Sequence, residues 1–303
     1  MKFPLLNNYL ARQSETGAPG GPATLAGTSL RLDGSGRAQG RFFNCTLTSA
    51  FQPLRRLDTD AVVGYEGLAQ SASANGLGLS VSRLFGHSAS DDESVELDRL
   101  CRMLHAINFF RQAQEAHGRL YLSVHERLLN AVSSNHGHAF RRILDELGLP
   151  IDRIVLQLPP VTPHHRWMLN YVADNYRRNG FAIAIDAATP AQATELLARL
   201  TPQAIRLDAR HLGDASALAA LLSAAADAGV RIIFRRIETE LSRQTILRAG
   251  AQAAQPVTGQ GYLLDQAAVS LLPADAPSDN TRPAVTAPAY LRAETGLAGR
   301  SAP

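Results

Sequence analysis

The sequence contains only two cysteines in 303 residues, Cys45 and Cys101. Two distant thiols in a chain of this length do not predict the disulfide framework of a secreted domain. No apolar stretch approaches the roughly 18 residues of a membrane-spanning helix, and the first residues carry one lysine and no long apolar run. The sequence therefore predicts a cytoplasmic protein without a secretory signal or a membrane partner.

Concentrated positive charge is also missing. The net charge is only +3, and arginine and lysine never occur more than two in a row. Nucleic-acid binders usually carry a basic stripe with aromatic side chains between the charges. We therefore expect a scattered, solvated set of surface charges and no nucleic-acid partner.

Large apolar residues are sparse towards both ends of the chain. Residues 16–40 are rich in Gly, Ala, Ser and Pro, and residues 273–303 have the same character. Such segments bury too little apolar surface to offset the entropy lost on ordering. The sequence therefore predicts a flexible segment over residues 1–41, one folded domain over residues 42–272 and a disordered tail over residues 273–303.

Within residues 42–272, short apolar strands alternate with amphipathic helices, and Gly180, Gly229 and Gly250 mark helix ends. This alternation is typical of the α/β class with a parallel sheet. Seven or eight such units in about 230 residues fit a closed (β/α)8 barrel of TIM type. A doubly wound open sheet is the alternative, although no glycine-rich phosphate loop supports a nucleotide-binding Rossmann fold.

A series of short motifs occurs in a fixed order through this domain. They are Phe51-Gln52-Pro53-Leu54, Gly64-Tyr65-Glu66-Gly67-Leu68, Ser123-Val124-His125, Ile154-Val155-Leu156-Gln157-Leu158, Ile183-Ala184-Ile185-Asp186, Ile205-Arg206-Leu207-Asp208, Ile237-Glu238-Thr239 and Gln260-Gly261-Tyr262-Leu263. In this order and spacing they resemble the EAL domain, the cyclic-di-GMP phosphodiesterase family, over residues 51–264.

The resemblance implies a modified TIM barrel of EAL type with one antiparallel strand and with functional residues at the strand ends. It also implies hydrolysis of cyclic di-GMP by two divalent metal ions. Paired metals activate water and clamp the phosphate, and hard divalent ions require oxygen ligands, mostly carboxylates.

Several positions implied by the resemblance carry a different residue here. His125 replaces an asparagine, Gln157 a glutamate, Ala187 an aspartate, Arg206 a lysine and Arg235 a glutamate. The former active-site positions are Glu66, His125, Gln157, Asp186, Ala187, Arg206, Asp208, Arg235, Glu238 and Gln260. Three carboxylates are lost, and a guanidinium repels metal ions, so we expect no catalytic residues and no cofactor.

Glu66, His125 and Asp186 are the only candidates for a single metal site, because His with carboxylates can hold a transition metal. We favour the alternative that Arg206 and Arg235 neutralise these carboxylates as ion pairs. The sequence therefore predicts a non-catalytic EAL-like regulatory protein that acts in cyclic-di-GMP-related signalling through an unidentified protein partner. The alternatives are a cyclic-di-GMP receptor that does not hydrolyse its ligand, or a residual phosphodiesterase.

Overall fold

The computed structural model describes residues 3–15, 24–25, 28–73, 90–112, 117–126, 128, 137–160 and 166–278. Its strands, in chain order, are β1 (Thr24–Leu25), β2 (Thr28–Leu32), β3 (Ala38–Phe42), β4 (Cys45–Arg56), β5 (Val62–Ser73), β6 (Arg119–Ser123), β7 (Ile154–Leu158), β8 (Ala182–Ala187), β9 (Ala204–Asp208), β10 (Arg231–Arg235) and β11 (Thr258–Gly259).

The helices are α1 (Pro4–Glu15), α2 (Asp91–Phe110), α3 (His138–Glu146), α4 (Arg166–Arg178), α5 (Pro190–Leu197), α6 (Ala215–Asp227) and α7 (Glu240–Gln252). Side chains cap the starts of several of them. Thr189, Asp214 and Thr239 each accept a hydrogen bond from a backbone N–H of the first turn. Such caps satisfy donors that a helix cannot satisfy itself. None of the described helices is long and apolar enough to cross a membrane.

Strands β4 to β11 close into a barrel. Parallel pairing runs without a break from β5 to β11, while β4 is antiparallel to both β5 and β11 and closes the ring. This is the α/β barrel with one antiparallel strand that the sequence predicts, and the fold prediction is confirmed.

The inside of the barrel is layered, because alternate residues of each strand face the axis. The middle layer is apolar and consists of Leu54, Tyr121, Val155, Ala184, Ala204 and Ile233. Two residues further along the parallel strands, at their carboxyl ends, the inward positions become polar. The middle layer therefore forms a floor beneath the polar ends of the strands.

Part of residues 1–41, the segment predicted to be flexible, forms helix α1 and strands β1 to β3 in the structure. Leu6 and Tyr9 of helix α1 are buried together with Phe3, which directly precedes the helix. Phe3 meets the edge of Phe110 at a centroid distance of 5.1 Å. Strands β2 and β3 extend the sheet from β4. Apolar residues three positions apart give α1 one buried face. The apolar surface that this face buries can offset the entropy lost on ordering, although the segment as a whole has few large apolar residues. Residues 16–23 and 26–27 lie outside the described part.

Residues 273–278, the predicted start of the tail, also have defined contacts. The fully buried Arg55 donates to the carbonyl oxygens of Ala276 and Pro277. Its guanidinium also pairs with Asp265, with Nη2 2.9 Å from Oδ1. The rest of the predicted tail, residues 279–303, lies outside the described residues.

Candidate functional site

The carboxyl ends of the parallel strands surround a cleft of about 240 Å³. It is lined by Gln52, Glu66, Leu68, Ser123, Asp186, Arg206, Arg235, Arg236, Glu238, Gln260, Gly261 and Tyr262. We call this cleft the mouth. Six of the ten predicted site residues line it: Glu66, Asp186, Arg206, Arg235, Glu238 and Gln260.

Glu66 is held by two donors in the mouth. Nη2 of Arg206 lies 3.0 Å from both carboxylate oxygens of Glu66. Gln260 donates from Nε2 to Oε2 of the same carboxylate. Glu66 and Arg206 are 8% and 3% exposed, so the pair is screened little by solvent.

Asp186 lies between two arginines. Nη1 of Arg206 is 3.4 Å from Oδ1 of Asp186, and Arg235 pairs with Oδ2 from the outer side. The Arg235 side chain is 20% exposed, compared with 3% for Arg206. Arg206 is therefore the inner cation shared by both carboxylates, and Arg235 is the outer partner of Asp186 alone.

The two charges shift each other's titration. Burial raises the pKa of Glu66, but the charge of Arg206, the hydrogen bond from Gln260 and the charge of Arg235 together lower it below the ordinary value. Burial lowers the pKa of Arg206, and the charges of Glu66 and Asp186 raise it above its ordinary value. Both groups are therefore held in their charged forms.

Asp208 forms a separate cluster beside the mouth. Its Oδ2 accepts hydrogen bonds from Nη2 of Arg210 at 2.8 Å and from Nη1 of Arg236 at 3.1 Å. Burial raises the pKa of Asp208, but the hydrogen bonds from Arg210 and the charge of Arg236 outweigh it, and the pKa is about 2. Arg236 adopts a left-handed backbone with φ of 59°, a conformation that is uncommon for non-glycine residues.

Besides Asp208, three further predicted residues do not line the mouth. Gln157 is buried, and its Oε1 accepts a hydrogen bond from the hydroxyl of Ser123 at 2.9 Å. The backbone N–H of His125 donates to Asp98 at 2.9 Å, which ties this strand end to α2. Ala187 is buried and follows the inward-facing Asp186, so its side chain faces the helices.

The residues present do not fit a metal centre. Among the described residues, no group of three or more His, Cys, Asp or Glu side chains could hold an ion. Protein donors occupy both oxygens of Glu66, and Arg206 and Arg235 each approach one oxygen of Asp186. A cation here would have to displace Arg206 and lie beside its charge.

Sequence reasoning missed some residues of the site. Gln52 and Ser123 line the mouth, and Oε1 of Gln52 accepts a hydrogen bond from Gln260 at 3.3 Å. Arg210 was missed as the partner of Asp208. Strand alternation was a usable signal for Gln52 and Ser123, since each lies two residues from an inward position. The contact of Arg210 depends on a loop conformation and had no such signal.

Comparison with known proteins identifies the family. The sequence model of the EAL domain matches residues 36–264. Among curated proteins, none matches the chain in sequence.

Solved structures share the fold. The Bacillus subtilis YkuI protein with an EAL domain, in complex with cyclic di-GMP and calcium, has a TM-score of 0.61 and 20% identity. The alignment covers 76% of this chain and 58% of YkuI. Klebsiella pneumoniae BlrP1, in a manganese and cyclic-di-GMP complex, has a TM-score of 0.57 and 20% identity, covering 73% of this chain and 56% of BlrP1.

The EAL domain of Xanthomonas citri FimX, in complex with cyclic di-GMP, has a TM-score of 0.58 and 18% identity, covering 72% of this chain and 86% of FimX. This chain therefore spans little more than half of YkuI and BlrP1 but most of the isolated FimX domain. The family match extends over most of the described barrel and includes every residue of the mouth. The chain belongs to the EAL domain family.

Proposed function

We propose that this EAL domain is a non-catalytic regulatory domain in cyclic-di-GMP-related signalling, in which Arg206 occupies the place that a metal ion would need. One observation supports this most strongly. The Arg206 guanidinium lies 3.0 Å from both oxygens of Glu66 and 3.4 Å from Asp186. A single permanent cation thus bridges two carboxylates of the mouth.

The chemistry of arginine makes this substitution stable. A guanidinium does not lose its proton in proteins, so its charge is present at every physiological pH. Without a counter-charge, Glu66 and Asp186 would repel each other and one would take up a proton. Arg206 removes the need for a metal counter-ion and repels cations that approach the same oxygens.

The remaining ligand positions support the same proposal. The neutral amide of Gln157 stands where the family resemblance implies a carboxylate, and Ala187 has no ligand atom. Two-metal hydrolysis needs two ions about 3.5–4 Å apart, which together activate water and clamp the phosphate. The mouth offers cationic side chains where those ions would have to bind.

A domain without hydrolysis must act through binding. We propose that the output passes through an unidentified protein partner, because a barrel whose Glu66 is paired with Arg206 would have to act by binding rather than by hydrolysis. The second candidate is a receptor that binds cyclic di-GMP without cleaving it. It is favoured by the open mouth, where Arg235, Arg236 and Tyr262 are accessible, and by the cyclic-di-GMP complexes of YkuI and FimX.

A hydrolysis assay tests the proposal. Purified protein is incubated with cyclic di-GMP and Mg²⁺ or Mn²⁺, with Glu66→Gln as the matched variant. We expect no linear product from either protein. Turnover by the wild type that disappears in Glu66→Gln would contradict the proposal. Calorimetric titration with cyclic di-GMP in EDTA then separates the two candidates, because only the receptor gives saturable binding.

A further inference from the structure

The end of the barrel opposite the mouth carries two inward-facing arginines. Arg119 precedes Tyr121 by two residues on β6, and Arg231 precedes Ile233 by two residues on β10. Tyr121 and Ile233 belong to the apolar floor. Because alternate residues of a strand face the same side, Arg119 and Arg231 lie one layer below this floor. We call this end the lower pole.

Among the described residues, these two arginines have no acidic partner. Every other arginine described so far at this end is engaged: Arg55 pairs with Asp265, and Arg153 donates to the carbonyl oxygen of Gly118 at 2.7 Å. Within the described ranges, no salt bridge involves Arg119 or Arg231, and Nη1 of Arg119 is buried without an acceptor. A buried donor that lacks an acceptor is costly, so such groups usually bind something.

Tyr121 adds a third donor at the lower pole. Tyr121 is 3% exposed. The ring packs over Gly64, where an added Cβ would lie 3.2 Å from ring atom Cε2. The absence of a side chain at Gly64 thus makes room for the ring of Tyr121.

The charges of the two arginines reach this hydroxyl. Burial raises the pKa of Tyr121, while the positive charges of Arg231 and Arg119 oppose the rise, each more strongly than Arg206 in the mouth. The Tyr121 hydroxyl is therefore influenced more by the charges of the lower pole than by the charge of Arg206 in the mouth. Strand alternation places both guanidinium groups on this side of the apolar floor, and Nη1 of Arg119 is buried there without an acceptor.

We propose that the lower pole binds a small oxyanion of the phosphate class, held by Arg119, Arg231 and the hydroxyl of Tyr121. Guanidinium groups form strong charge-assisted hydrogen bonds to phosphate, and the fork of donors matches two oxygens. A tetrahedral anion offers a third oxygen to the phenol, whereas a carboxylate has only two oxygens for three donors. The apolar floor separates this site from the mouth, so it does not depend on the proposed function above.

Titration with inorganic phosphate tests the proposal. Phosphate is added to the full-length protein and followed by calorimetry and by the melting temperature, against sodium chloride at the same ionic strength. We expect saturable 1:1 binding to the wild type. Tyr121→Phe removes one oxygen atom and keeps the packing, and the exposed Arg231→Ala leaves the core intact. Each should weaken binding by at least about tenfold, as expected for one lost charge-assisted contact.

Arg142→Ala is the control, because Arg142 is 73% exposed on α3 and pairs with Glu146 on the same helix. It should bind phosphate as the wild type does. The proposal is overturned if phosphate raises the melting temperature no more than chloride does. It is also overturned if Tyr121→Phe and Arg231→Ala both melt cooperatively and bind phosphate with wild-type affinity.

The same titration with phosphoserine distinguishes two sources of the anion. Both ligands carry the chemistry that the lower pole recognises. Tighter binding of phosphoserine would assign the site to a phosphorylated partner, and tighter or equal binding of inorganic phosphate would assign it to the free ion. Either result requires the same loss in Tyr121→Phe and Arg231→Ala.

Discussion

Nη2 of Arg206 lies 3.0 Å from each carboxylate oxygen of Glu66, and both side chains are buried at the mouth of the barrel. Gln260 donates to the same carboxylate. The lone pairs that a metal ion would use are therefore directed at protein donors. The following predictions treat this pair as a fixed part of the folded protein.

Replacing Arg206 with methionine should destabilise the fold strongly. Methionine keeps much of the apolar length but removes the charge. It leaves the buried Glu66 and the partly buried Asp186 without their shared cation. Removing one partner of a buried ion pair costs about 3–5 kcal/mol. Chemical denaturation should show this loss in the free energy of unfolding.

Arg199→Met is the matched control for that measurement. Arg199 pairs with Glu195 at 3.6 Å, and both side chains are about half exposed. Exposed pairs of this kind contribute about 0–1 kcal/mol. If Arg206→Met and Arg199→Met lose similar amounts of stability, the buried pair does not have the role assigned to it.

Restoring metal binding should require the removal of Arg206. Gln157→Glu, Ala187→Asp and Arg235→Glu restore the three carboxylates that the family resemblance implies at these positions, but Arg206 still occupies the oxygens of Glu66. We expect this triple variant to bind no Mn²⁺, and the quadruple variant with Arg206→Lys to bind it measurably. Calorimetric titration compares the two. Equal Mn²⁺ binding by both variants would show that Arg206 does not block the site.

Stability should fall between pH 6.5 and 4 because of His105. This side chain is buried on α2, and its Nδ1 lies 2.8 Å from the hydroxyl of Ser49. Burial lowers the pKa of His105 from 6.5 to about 4, against the opposing effect of the Glu66 charge. In this window the unfolded chain binds a proton that the folded chain does not, so folding weakens as the pH falls.

The effect of His105 should reach on the order of 3 kcal/mol near pH 4. His105→Gln removes the titration and retains a polar group near Ser49. Free energies of unfolding at pH 7, 5.5 and 4 should therefore fall less steeply in this variant than in the wild type. Parallel pH profiles for the two proteins would rule out His105 as the source.

Helix α1 should contribute to stability, although it precedes the region matched by the family. Leu6 is fully buried and its neighbour Leu5 is 51% exposed, so the two leucines form a natural comparison. Leu6→Ala should cost about 2–5 kcal/mol, the range for buried leucines, while Leu5→Ala should stay near zero. Equal small effects would mean that α1 does not pack on the core in solution.

The sequence predicted the barrel and the strand ends well, because both follow from local patterns. Inward positions recur every second residue. The ordered motifs place Asp186, Arg206 and Arg235 at the ends of three adjacent strands, and Glu66 on the more distant strand β5. These four residues line the mouth. The pairing of arginine with carboxylate also followed from the sequence, since buried charges need partners.

Contacts that depend on loops or on distant segments were not predictable in the same way. Asp208 lies two residues after Arg206 but pairs with Arg210 and Arg236 outside the inner cluster. His125 is tied to α2 through Asp98, a contact 27 positions apart. Helix α1 was missed because it has only one short apolar face and is followed by a segment poor in large apolar residues. Its contribution to the core becomes visible only in the structure, where Phe3 packs against Phe110.

Titration of the metal-free protein with Mn²⁺ tests the central claim most directly. The protein is treated with EDTA and dialysed, and Mn²⁺ is then added during calorimetry, with Glu66→Gln in parallel. The account predicts no saturable binding to the wild type and no change in its melting temperature on addition of EDTA or Mn²⁺. Stoichiometric Mn²⁺ binding that raises the melting temperature and is lost in Glu66→Gln would contradict it.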